Sequence, residues 1–211
     1  MPFATDIDLL LWEPTLLQEA AFASQILLSG TCDLEDSTIT IASGSFASAK
    51  VVVGNVVVLS GAISGCFPIV EVTSATELKI SALYADLSQP IEPSSVGVAT
   101  GLTYSVRTYF AQRKIVSDLL LTTAGLNADA YTEKVIVTPS LRRACTLGSL
   151  QMIYNAIAAT AEDSHHHAIR ASVYGKLYRR ALRLVRLDLD TNNDGEADIR
   201  NDLNISNLIR R

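Results

Sequence analysis

Between Ser37 and Ala85 the chain carries five short runs rich in β-branched residues: Thr38 to Ile41, Lys50 to Val53, Val56 to Leu59, Ile69 to Thr73 and Leu78 to Ser81. Their shortness restricts the fold more than any other feature. Apolar runs of four or five residues punctuated by Gly, Asn, Ser and Pro are too brief for helices, and they predict strands. The Gly54-Asn55 pair between two valine runs predicts a hairpin. Five strands in so short a stretch predict a small barrel or sandwich. Such a module is too small for a large core of its own, so it needs a parent domain or a neighbouring subunit.

The flanking segments have a different period. From Thr5 to Leu28, residues Leu9, Leu10, Leu17, Ala20, Ala21, Ile26 and Leu27 recur at three and four spacing. This predicts a helix capped by Thr5, divided at Pro14 and stopped at Gly30. After a loop with Pro90 and Pro93, Thr103 to Phe110 alternates as a strand, and a helix from about Arg113 to Ala124 ends at Gly125. Val135 to Thr138 reads as extended. Pro139 and Ser140 then open a helix to about Ala161, striped by Leu141, Cys145, Leu150, Ile153 and Ile157. Asp163 or Ser164 caps a last helix expected to reach Leu187. The expected fold is α+β and mainly helical. A helical bundle domain formed by residues 1–36 and 86–198 is interrupted by a small β-barrel or sandwich at 37–85, and an extended C-terminal tail follows at 199–211.

A chain of 211 residues and 22.7 kDa has room for one domain with an inserted module. With 48% apolar and 18% charged residues and a mean hydropathy of +0.26, it holds more apolar side chain than one modest core needs, which suggests subunit contacts. A net charge of −5 argues against general nucleic-acid binding, which is driven by neutralising phosphates. The uncharged stretch from Val51 to Val70 is broken by Gly54, Gly61, Gly65 and Pro68, so no membrane span and no membrane partner is expected. The first residues lack the basic and apolar runs of a signal peptide, and the chain is expected to stay in the compartment where it is made. Cys32, Cys66 and Cys145 are widely spaced and read as small buried hydrophobes.

Few segments carry a chemical signature. Consecutive His165, His166 and His167 point to different sides of a helix, so they do not converge on one metal and read as a solvated helix start. Ser60-Gly61 and Ser64-Gly65 read as turns, and no nucleophile elbow, zincin motif or phosphate loop is present. The expectation is a protein that is not an enzyme, with no catalytic residue and no cofactor. The alternative, an enzyme of unknown type with a dispersed site, would show a deep polar pocket with perturbed carboxylates.

In the last helix Lys176, Arg179, Arg180 and Arg183 fall at i, i+3, i+4 and i+7, with Arg186 close behind. This basic stripe reads either as plain solvation or as an interface for an acidic partner or passing nucleic acid. Ile169, Val173, Leu177 and Leu184, bordered by Tyr174 and Tyr178, are expected on the opposite, apolar face. Next, Asp190, Asn192 and Asp194 at alternate positions before Gly195 match the first half of a calcium loop. The twelfth position is Asn201 instead of the closing Glu, so the segment reads as a tight polar turn or a weak calcium site. A calcium-dependent binding module is a second alternative, and it would need calcium for its fold. Beyond the loop, Leu203, Ile205, Leu208 and Ile209, followed by Arg210 and Arg211, form a tail expected to fold on a partner.

Taken together, the helical segment from Asp6 to Leu28, the strand Tyr104 to Phe110 leading into a helix, the two long C-terminal helices and the tail from Leu187 to Arg211 resemble the adaptor, or head-completion, proteins of tailed bacteriophages. The β module from Ser37 to Ala85 departs from the compact helical members. The resemblance implies a structural virion protein made in the host cytoplasm and placed at the head-tail junction. Its partners would be the portal protein ring, tail or neck proteins and further copies of itself, in a ring of about twelve. Packaged DNA would pass through that ring.

Overall fold

A computed structural model of the chain describes residues 1–19, 22–82, 91–160 and 164–202, which form two compact units: Asp6–Tyr109, and Met1–Thr5 with Phe110–Arg211. The first unit opens with two short helices, α1 (Asp6–Trp12) and α2 (Leu16–Glu19). Six antiparallel strands follow: β1 (Ile26–Asp36), β2 (Thr38–Ile41), β3 (Val56–Ser60), β4 (Gly65–Val72), β5 (Glu77–Ile80) and β6 (Gly97–Arg107). They close into a barrel in the order β1-β2-β5-β4-β3-β6, with β6 pairing back on β1 from Ile26↔Arg107 to Asp36↔Gly97. Closure leaves no edge strand to pair with another chain. Along β1 the period of two turns Cys32 and Leu34 inward and Asp33 and Glu35 outward. Leu34, Ile39, Phe46, Val57, Ile69, Leu78, Leu102 and Tyr104 fill the interior. Breaks of register at Ile26/Leu28, Cys32/Leu34 and Ile69/Glu71 give the bends that closure requires.

This barrel overturns the expected mainly helical bundle with a small β insertion. Two of its six strands, Ile26–Asp36 and Gly97–Arg107, lie outside the stretch 37–85, and both are longer than any strand inside it. The first half of β1 was expected to finish a helix. Pairing with β6, some seventy residues away, outweighs the local preference of its leucines, since propensity is a weak prior against tertiary context. Among the described residues of the second expected helical piece, Leu16–Glu19 alone is α-helical. Lys50 to Val53 was expected as a strand and forms a loop. Lys50 has φ 57°, Val51 N–H donates to Phe46 O, and Asn55 Oδ1 accepts from Val52 N–H at 3.0 Å.

One buried carboxylate anchors this unit. Asp6, fully buried in α1, accepts hydrogen bonds from Asn55 Nδ2 at 3.3 Å, Thr108 Oγ1 at 2.7 Å and Tyr109 N at 2.9 Å. A buried charge is tolerated only with such donors, so Asp6 holds the start of α1 to the loop before β3 and to the end of β6. Arg107 adds a hydrogen bond to Leu17 O.

The second unit contains α3 (Phe110–Thr123), α4 (Ala128–Tyr131), β7 (Val135–Ile136), α5 (Pro139–Thr160), α6 (Ser164–Leu182), β8 (Arg186–Leu189) and β9 (Ile199–Asp202). Helix α5 lies nearly along the span its apolar stripe predicts, and it packs on both α3 and α6. Gly148 makes the close approach possible: a Cβ there would meet Val116 Cγ1 at 2.8 Å and Tyr178 Cε2 at 3.0 Å. Leu120, Leu121, Leu141, Cys145 and Leu187 form the core, joined by Phe3 of the N-terminal segment. Arg113, almost fully buried, donates to Ala4 O at 2.6 Å, and Phe3 N–H donates to Ser117 Oγ at 3.0 Å.

The expected end of the last helix is also corrected. Helix α6 stops at Leu182, the chain turns, and Arg186–Leu189 becomes the middle strand of an antiparallel sheet ordered β7-β8-β9. Leu189 pairs with Val135 on one side and Ile199 on the other, so burial of Val185, Leu187 and Leu189 replaces the helical period with a strand period. Ile199–Asp202 therefore belongs to a sheet. Leu203, Ile205, Leu208, Ile209, Arg210 and Arg211 lie outside the described residues.

Candidate functional site

Helix α6 decides which surface the second unit offers. Its inward positions are small or aromatic. Ala171 and Tyr174 are buried, Gly175 sits against the Gln151 side chain, and Tyr154 of α5 stacks on Tyr174 and His167 with ring centroids 5.7 and 6.0 Å apart. Arg170 Nη1 donates to Tyr154 Oη at 2.8 Å. Two small residues beside two tyrosines let α6 lie close to α5, and this turns the aliphatic positions outward. Ile169 and Val173, expected opposite the basic stripe, are exposed on α6, Leu177 is half-buried, and Leu184 is exposed in the turn that follows the helix.

Lys176, Arg179, Arg180, Arg183 and Arg186 are all exposed. The early end of α6 divides them: the first three share the helix, Arg183 lies in the following turn, and Arg186 is on β8. The outward surface is therefore mixed, with Val173, Leu177 and Leu184 interleaved with Lys176 and Arg180. At its C-terminal end a groove of about 390 Å³ lies between Pro139, Ser140 and Arg143 at the start of α5 and Leu177, Arg180, Ala181 and Leu184. Helix α3 also leaves apolar side chains half exposed, Ile115 and Leu119 one turn apart on one face and Phe110 on the side of the helix opposite Leu119. Sequence reasoning missed these positions because it set the aliphatic residues of α6 opposite the basic stripe. The small residues Ala171 and Gly175 were the signal for the true inward face.

The carboxylates of the Asp190 to Asp198 segment come together, but around the loop's own backbone. Asp190 Oδ1 accepts from the N–H groups of Asn193 and Asp194 at 2.6 and 3.2 Å, and its Oδ2 from Gly195 N at 2.8 Å. Asn192 Oδ1 accepts from Asp194 N, and Asn192 Nδ2 donates to Asp194 Oδ2 and Asp198 Oδ1. Thr191 gives both its hydroxyl and its N–H to Asp198 Oδ2 at 2.6 and 2.8 Å. The Thr191 hydroxyl, followed by its amide, holds the Asp198 carboxyl below its ordinary range. Positive φ at Asn193 and Gly195 makes the sharp reversal. The oxygens that the spacing nominates as calcium ligands, on Asp190, Asn192 and Asp194, thus accept backbone donors in this arrangement.

Of the three histidines, His165 and His166 are exposed at the start of α6, and His167 turns in to stack on Tyr154. Cys32 and Cys145 are buried and Cys66 half-buried; burial pushes the Cys32 and Cys66 thiols up to about 11 and raises Cys145 as well, so all three stay protonated near neutrality. No family model, curated protein or solved structure matches the chain.

Proposed function

We propose that this chain is a structural virion protein, an adaptor ring subunit that joins the portal to the tail or neck of a tailed bacteriophage. The observation that supports the reading is the outward face of α6 with the turn after it, where Ile169 and Val173, then Leu184, stand exposed among Lys176, Arg179 and Arg180. Apolar rows rimmed by charge mark protein contacts. The basic residues suit an acidic partner surface and leave the bore of a ring compatible with passing DNA. In this reading the tail from Leu203 to Arg211 reaches the portal, and the helical unit meets neighbouring copies and the neck.

The test is electron microscopy of the full-length chain mixed with purified portal rings. A density layer seated on the portal in most particles is the expected result. Bare portal rings beside free protein would contradict the proposal.

A further inference from the structure

The two units carry opposite charge. Asp6–Tyr109 holds eleven acidic and three basic residues, a formal −8, whereas Met1–Thr5 with Phe110–Arg211 holds eleven acidic and fourteen basic residues, a formal +3. Each unit sets part of its charge beside exposed apolar side chain. On the basic unit it borders the groove of Pro139, Leu177, Ala181 and Leu184, with Arg143 and Arg180 in its lining and Leu184 79% exposed. On the acidic unit it borders Val98, which is 70% exposed. Val98 pairs with Glu35 across β1 and β6, so both side chains stand on the same outer face of the barrel. Asp33 and Asp36 lie beside them, their carboxylates held by Gly101 N at 2.8 Å and Ser95 Oγ at 3.1 Å. The patch is an apolar knob in an acidic rim, and the groove is an apolar floor with arginines in its wall.

We propose that the groove at Leu177, Arg180 and Leu184 receives the barrel face around Glu35 and Val98 of a second copy of this chain. The inference deepens the ring reading and names the partner of that surface. The contact is heterologous, because the groove and the knob are different surfaces, and such contacts repeat head to tail into rings or filaments. Val98 enters the apolar floor, and Arg180 meets Glu35.

Charge reversal in the full chain tests the pairing, read by sedimentation velocity over a range of protein concentrations. Wild type is expected to self-associate, less so at high salt. Arg180→Glu alone and Glu35→Arg alone, both at exposed positions, should each weaken association about tenfold or more, since like charges then face each other. The double variant restores opposite charges at every interface and should recover most of the loss, while melting curves of all variants stay near wild type. A wild-type chain that remains monomeric, single reversals without effect, or a double variant no better than the weaker single would each overturn the contact. Wild type that seats on portal rings yet fails these tests would remove this contact and leave the adaptor reading standing; self-association with rescue but no portal binding would do the reverse.

Discussion

In the barrel unit each strand has a hydrogen-bonded neighbour on both sides, and its exposed valines sit in a loop, at Val52 and Val53, or near a strand end, at Val98. In the unit built on α3, α5 and α6, half-exposed apolar side chains sit one helical turn apart, Ile115 and Leu119 on one outer helix and Ile169 and Val173 on the other. A barrel completes itself by closure, but a layer of three helices buries only the helix in the middle. Helix α5 has eleven buried residues and is that middle helix. The outer helices each keep half-exposed apolar side chains, Ile115 and Leu119 on α3 and Ile169 and Val173 on α6, and in the adaptor reading proposed above these are the positions a neighbour would cover.

Substitutions should separate the two regions by where their effect is felt. The largest effect is expected inside the barrel. Ile39→Ala removes a fully buried side chain from the closed interior that Phe46 and Leu34 also fill, and should destabilise the chain by about 3 kcal/mol in denaturant unfolding. A loss below about 1 kcal/mol would mean that the barrel interior is loosely filled. Gly148→Ala is expected next, at about 1–3 kcal/mol, because the added methyl presses on Val116 and Tyr178 where α5 lies between its neighbours. A melting temperature equal to wild type would show that α3 and α6 give way easily.

On the outer face the sign of the contrast reverses. Leu119→Ser should change unfolding free energy by no more than about 0.5 kcal/mol, since the side chain is half exposed. It should nevertheless reduce the yield of assembled particles in light scattering. Unaltered assembly would remove α3 from the contact surface.

The smallest effect concerns the acidic loop. Asp198 is depressed in the folded chain by its bonds from Thr191, so the stabilisation is present above the ordinary carboxylate range, near pH 4, and is lost as pH falls through the lower folded value. The Thr191 amide resonance should shift across that acidic window while core resonances hold still. A Thr191 signal that does not move would mean the bond to Asp198 is absent.

Much of the barrel was legible. Thr38 to Ile41, Val56 to Leu59 and Leu78 to Ser81 overlap β2, β3 and β5 closely, and Ile69 to Thr73 finds the second half of β4, because β-branched alternation between turn residues is a local signal. Of the closing strands, the C-terminal half of β6 was legible in the alternation from Thr103, but β1 was not, because it depends on a partner distant in sequence and its Ile-Leu-Leu start reads equally as helix. The basic residues of the candidate site were legible as a spacing, but their apolar neighbours were placed on the wrong face. Amphipathic spacing identifies two faces of a helix, and the choice of the inward one was made by Ala171, Gly175 and the tyrosine stack.

The central claim is that the chain assembles on a portal as a ring, in which neighbouring copies cover the exposed face of the helical unit. Native mass spectrometry of the full chain with an excess of portal rings tests it most directly. A single complex carrying a fixed number of copies, about twelve per ring, is the predicted result, and Leu119→Ser should deplete it. A spectrum of unbound portal rings and monomeric chain under conditions where both are folded would contradict the claim.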